Sequence, residues 1–95
     1  MVVIEFNEEK NIFLKLTRGI GFEDVLEAIN GGNLLDDIKN PSQKHPQQRI
    51  FVVKINSYVY AVTYVQNEEK IFLKTAYPSR VLTKSYLKNH GKNKK

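Results

Sequence analysis

The chain has 95 residues, 41% apolar and 26% charged, with a net charge of +5 and no cysteine. A chain of this size buries about 60 to 65% of its unfolded surface and supports a single core, so one domain is expected over residues 1–88. Disulfides, thiolate catalysis and Cys-based zinc sites are excluded; with His45 and His90 the only imidazoles, neither a metal site nor a cofactor is expected.

Met1 to Phe6 is apolar and β-branched and reads as a first strand; lacking a basic lead and a small-residue cleavage site, it does not read as a signal peptide. The longest apolar runs, such as Ile50 to Val53, are too short to cross a bilayer, and a cytoplasmic location is the simplest expectation. Asn7 is placed to cap a helix with Glu8 and Glu9 in its first turn, running to about Thr17. Gly19-Ile20-Gly21 breaks that helix. Phe22, Val25, Leu26 and Ile29 then follow the i, i+3, i+4, i+7 spacing of a second helix, which Gly31-Gly32 closes. This Gly-Gly is a stop signal, since a phosphate-binding loop needs a strand before it and a helix after it.

Asn33 to Ile38 reads as a short strand or extended edge. Lys39 to Gln48, with Asn40-Pro41 and His45-Pro46, reads as a polar, mobile loop. Arg49 to Ile55, Tyr58 to Val65 and Lys70 to Tyr77 are rich in Val, Ile, Tyr and Phe and predict an antiparallel meander. Its turns are Asn56-Ser57, of two residues, and Gln66 to Glu69, of four. Pairing through the first hairpin puts Arg49, Phe51, Val53 and Ile55 on one face with Tyr58, Tyr60, Val62 and Tyr64. Both faces are largely apolar, so one is expected beneath helices and the other partly covered or used for binding. Pro78 ends the third strand and Ser79 caps a last helix, in which Arg80, Lys84 and Lys88 fall at i, i+4 and i+8. This basic helix is expected beside a sheet edge, with Tyr86 as its anchor.

Charge is unevenly distributed. Every acidic residue precedes Lys74, so the chain carries −2 up to Leu73 and +7 from Lys74 onward. Such asymmetry points to an anionic partner, nucleic acid first and an acidic protein segment second. Asn89 to Lys95 reads as a solvated basic tail, whereas Lys74 to Lys88 interleaves its charges with apolar residues.

Cleavage of RNA by its own 2′-hydroxyl needs groups that orient the strand, neutralise charge and move protons, and Arg, Lys, Tyr and His suffice. Arg49, Lys74 and Arg80 are candidates for charge stabilisation, and Lys84 and Lys88 for backbone-phosphate contacts. His45, Tyr77 and Tyr86 are candidates for proton transfer; the tyrosines can instead stack on bases or pack on the sheet. The expected site is Lys74 to Lys88 with Arg49 across the sheet. There is no Gly-x-Ser-x-Gly, Walker loop or carboxylate pair near the basic end.

Lys10-Asn11 through Gly19-Ile20-Gly21-Phe22-Glu23-Asp24-Val25 resembles the lead segment of BrnT-type toxins, which read Lys-Asn, then Lys-His-Gly, then a hydrophobic residue and Ser-Phe-Glu-Glu-Ala. Ile71 to Tyr77, followed by a basic helix closing on Tyr86, is similar to that family's last strand and final helix. A group of small bacterial toxin-like proteins is more similar still, sharing Lys44-His45-Pro46, Tyr58-Val59-Tyr60, Lys74-Thr75, Pro78-Ser79-Arg80 and Thr83-Lys84-x-Tyr86. The resemblance extends to about Leu87. It implies an α+β, RelE-like fold with two amino-terminal helices on an antiparallel sheet of three to four strands and a short basic carboxyl-terminal helix. It further implies an endoribonuclease toxin of a type II toxin–antitoxin pair, inhibiting translation, with a small DNA-binding antitoxin, often ribbon-helix-helix, as partner. The family's Lys-His stands here as Thr17-Arg18, and its Arg after Ser-Ala as Tyr77; Arg18 and Arg80 offer similar charge nearby, which makes Arg18 a further RNA-binding candidate. A non-catalytic nucleic-acid- or partner-binding module, and a structural subunit held by its apolar sheet face, are the alternatives.

Overall fold

A computed structural model describes residues 3–88, and Lys88 only in its backbone. The expected basic tail, 89–95, lies outside the described residues.

Strand β1 (Val3–Phe6) leads into helix α1 (Glu8–Arg18). The Asn7 side chain caps α1 by accepting the Lys10 N–H at 2.9 Å, and Gly19 ends it in the left-handed region at φ 76°. Helix α2 (Phe22–Asn30) follows, then edge strand β2 (Leu34–Lys39). Strands β3 (Arg49–Ile55), β4 (Tyr58–Asn67) and β5 (Lys70–Pro78) form the meander. Ser79 accepts the Leu82 N–H to cap α3 (Arg80–Thr83), which widens into a π-helical turn over Lys84–Lys88.

The sheet has five strands in the order β1-β5-β4-β3-β2, and β1 lies parallel to β5. The expectation of three to four antiparallel strands is corrected accordingly. Pairing Val3 with Lys70 joins distant segments across the sheet, and no local pattern announces such a contact. The first hairpin turns at Asn56-Ser57, both at positive φ, as a two-residue connection requires. The second is also a two-residue turn, Glu68-Glu69, because pairing continues to Asn67 and Lys70. The predicted four-residue turn is therefore too long.

The first hairpin has the anticipated register, with Arg49 opposite Tyr64 and Ile55 opposite Tyr58. One sheet face, carrying Phe51, Val53, Val62 and Tyr64, packs under Leu14, Phe22 and Val25 of the two helices. The opposite face, Ile50, Val52, Val59 and Ala61, lies under Leu82, Tyr86 and Leu87. The last helix thus covers a sheet face instead of standing beside an edge. Its apolar residues have a continuous apolar surface to bury there, which the edge does not offer. The Tyr86 hydroxyl donates to Asp36 Oδ2 at 2.7 Å, and the Thr83 hydroxyl accepts the Val59 N–H at 3.0 Å, fixing the helix at two points.

Tyr64 is 1% exposed, stacks on Phe51 at 4.0 Å and donates to Asp37 Oδ1 at 2.7 Å. Burial first, and the hydrogen bond to Asp37 second, push its phenol up to about 12 from 10.0. The folded protein therefore holds this proton more tightly than the unfolded chain. The resulting stability is fully present below pH 10 and is lost as pH rises through about 12. Denaturant unfolding across that window should show stability falling in the parent and falling less in Tyr64→Phe. Equal slopes would contradict the assignment.

Candidate nucleic-acid interface

The site arises from unequal strand lengths. β1 ends opposite Leu73, whereas β5 continues to Pro78, so the outer edge of β5 from Lys74 onward has no strand beside it. Helix α1 occupies that space, and Arg18 Nε donates to the Ala76 carbonyl at 3.2 Å. The side chain thereby satisfies an edge acceptor that would otherwise be open. Among the described residues its two terminal nitrogens have no protein partner and remain available to a ligand.

A bulge sets the direction of the next side chains. Tyr64 pairs with Leu73 and Thr63 with Thr75, which leaves Lys74 unpaired. Before the bulge Ile71 and Leu73 face the helices; after it Ala76 does, and Tyr77 is turned to the opposite face. Without that shift Tyr77 would point into the core.

The Lys39 to Gln48 connection closes the third side. Asn40 N–H donates to the Gln48 carbonyl at 3.1 Å, and its side-chain amide donates to Gln48 Oε1 at 3.2 Å. Ser42 N–H donates to Asn40 Oδ1 at 3.0 Å, and His45 N–H to the Ser42 carbonyl at 3.3 Å. The loop expected to be mobile is held by its own hydrogen bonds.

Together these elements enclose an open groove of about 490 Å³, and Arg18, His45, Lys74 and Tyr77 line it with Lys10, Gln48, Thr63 and Thr75. Three salt bridges occur among the described residues, and their cations are Lys15, Arg49 and Lys70. The groove's own cations, Lys10, Arg18 and Lys74, take part in none of them. No carboxylate lines the groove. Unneutralised cations around a concave surface attract anions, and phosphate oxygens match both the ammonium groups and the guanidinium fork.

The expected site is thus partly assembled and partly dispersed. Arg49 does not join the groove: it lies on the helix-covered face, donating to Asp37 Oδ1 and to the Asp37 carbonyl, each at 3.1 Å. That face is opposite the one bearing Thr63 and Tyr77, so Arg49 locks β2 to β3 instead. Arg80 and Lys84 are exposed but line no part of the groove. Tyr86 is committed to Asp36, whose carboxyl it holds below the usual range, while Asp36 in turn raises the Tyr86 phenol. The Lys88 side chain lies outside the described residues. Lys10, Asn40, Gln48, Thr63 and Thr75 were not anticipated. Lys10 opens the Lys10-Asn11 pair of the toxin resemblance, and the phase change at Lys74-Thr75 coincides with two polar residues after the apolar run Ile71-Phe72-Leu73.

Among the described residues no group of three or more His, Cys, Asp or Glu is placed to hold a metal ion. The fold is an α+β domain with a mixed sheet, carrying a cationic groove between α1, the end of β5 and the β2–β3 loop. Comparison with protein-family models, with curated proteins and with solved structures finds no match.

Proposed function

We propose that this protein is a RelE-like endoribonuclease toxin of a type II toxin–antitoxin pair, in the manner of the BrnT-type toxins its sequence resembles. The observation that carries the reading is the groove in which Lys10, Arg18 and Lys74 stand without acidic partners beside His45 and Tyr77. In the reaction the 2′-hydroxyl oxygen bonds to the adjacent phosphorus as the bond to the 5′-oxygen breaks, giving a 2′,3′-cyclic phosphate and a 5′-hydroxyl. One proton leaves the 2′-hydroxyl and one reaches the departing oxygen. His45 and Tyr77 are assigned these transfers, and Lys74 and Arg18 the charge on the phosphoryl oxygens. No cofactor is required by this chemistry.

The proposed partner is a small antitoxin, of the ribbon-helix-helix kind, that covers the toxin. The outward face of α1 suits such a partner, since Ile12, Phe13 and Leu16 are 50%, 50% and 81% exposed there. Expression of the protein in a bacterial host should arrest growth and translation, and a Lys74→Ala, His45→Ala variant should relieve the arrest. Normal growth with the parent at equal expression would count against the toxin reading.

A second reading, a nucleic-acid-binding module without catalysis, is favoured by Thr17. It stands where the toxins have the Lys of Lys-His, and its hydroxyl turns back to donate to the Phe13 carbonyl at 2.7 Å. That module would bind RNA with steep salt dependence and leave it intact.

A further inference from the structure

A second cavity, of about 580 Å³, adjoins the groove and is lined by Asn7, Glu9, Lys10, Phe72, Leu73 and Lys74. Lys10 and Lys74 belong to both cavities and form the boundary between them. Phe72 is a large aromatic residue of β5 that belongs to neither core cluster and is only partly buried. The ammonium of Lys74 lies 5.1 Å from the centre of its ring. Phe72 keeps part of its ring surface exposed to the cavity, where a planar group can take the place that the Lys74 ammonium holds over it.

We infer that this cavity is a nucleotide subsite for single-stranded RNA, in which a base stacks on Phe72 while Lys10 and Lys74 hold the phosphate linking it to the nucleotide in the groove. This rests on the RNA-binding reading of the groove and extends it by one position. Aromatic faces accept any unpaired base, and lysines beside them neutralise the backbone, which is the usual chemistry of single-strand recognition. Glu9 lies on the cavity wall. Its carboxylate opposes a phosphate placed beside it, which sets the phosphate on the Lys10–Lys74 side and leaves the base over Phe72. A base-paired strand has no free base face to offer, so the subsite selects against duplex.

The test uses the full chain and a fluorescent 2′-O-methyl hexaribonucleotide, which lacks the attacking hydroxyl, in single-stranded and duplex forms. Phe72→Leu keeps the apolar volume and removes the stacking face; Phe72→Trp restores it. The single strand should bind the parent more tightly than the duplex, Phe72→Leu should weaken it by about 5- to 100-fold, and Phe72→Trp should bind as well as the parent. Duplex binding should be the same in all three proteins. If Phe72→Leu binds the single strand as the parent does, with parental RNA binding intact, the subsite is wrong while the groove stands. If Phe72→Leu and Phe72→Trp are equally weakened, the residue acts through packing and the subsite is again wrong. Failure of the parent to bind either RNA form overturns the groove reading, and the subsite with it.

Discussion

Asn11→Leu is expected to lower the unfolding free energy by roughly 2 to 3 kcal/mol, the largest effect of any single polar substitution in this fold. Asn11 is fully buried on α1, and its carboxamide is used at both ends. Its Oδ1 accepts the Phe22 N–H at 2.6 Å, and its Nδ2 donates to Glu23 Oε2 at 3.0 Å. Phe22 opens α2, so this is one of the N–H groups a helix cannot satisfy internally. The residue before it, Gly21, has no side chain with which to cap the helix, and Asn11 supplies the missing acceptor from a neighbouring helix. The fit is close: a Cβ at Gly21 would lie 2.6 Å from Asn11 Oδ1 and 2.7 Å from Lys15 Cε. Leucine has similar bulk but leaves the Phe22 N–H buried without a partner. Thermal unfolding of a domain this size should shift down by about 10 to 20 °C. Glu23→Gln leaves the Asn11 Oδ1 cap on the Phe22 N–H and changes only the partner of Nδ2, so its loss should be distinctly smaller. If Asn11→Leu and Glu23→Gln were equally harmful, the cap at Phe22 would not be the cause.

Lys74→Ala is expected to reduce RNA cleavage about 100-fold while leaving the unfolding midpoint within a degree or so of the parent. The side chain is exposed, pairs with no carboxylate among the described residues and sits on the bulge that turns it toward the groove. Removing it takes no packing from either core and, on the proposed reading, deletes a charge from the phosphoryl oxygens. Lys70→Ala is the matched control, since that lysine lies at the start of the same strand and pairs with Glu5 at 3.6 Å. It should cleave as the parent does. The logarithmic salt dependence of RNA binding should also become shallower by about one in Lys74→Ala, the change expected for one phosphate contact. Equal losses in Lys70→Ala and Lys74→Ala would reduce both to a general effect of net charge.

Local chemistry made most of the elements legible. Asn7 before Glu8-Glu9, the apolar spacing from Phe22 to Ile29 and the Asn56-Ser57 turn each act within a few residues, and each stands where the sequence places it. The parallel pairing of β1 with β5 was not legible, because the energy that selects it comes from covering one sheet edge with a segment from the other end of the chain. For the last helix Tyr86 is legible as the anchor, while the surface it covers is set by the apolar face of Ile50, Val52, Val59 and Ala61 that receives Leu82, Tyr86 and Leu87. The π-helical turn over Lys84–Lys88 also breaks the 3.6-residue period on which a continuous basic face depends.

The candidate site was legible in kind and only partly in membership. Lys74, Tyr77, His45 and Arg18 meet in one groove although they come from a strand, a loop and a helix. Arg49 misled because a basic residue opening a strand gives no sign of its partner, and Asp37 lies on the adjacent strand at the right register to take it. Arg80 follows Tyr77 across Pro78-Ser79, yet it opens helix α3 and lines no part of the groove.

Incubation of the purified full chain with a single-stranded RNA in the presence of EDTA, followed by analysis of the product ends, tests the proposed cleavage. Fragments ending in 2′,3′-cyclic phosphate and beginning with 5′-hydroxyl are expected from the parent and from Lys70→Ala, and almost none from Lys74→Ala. RNA that is bound by the parent but remains intact, or that is cleaved equally by parent and Lys74→Ala, would contradict it.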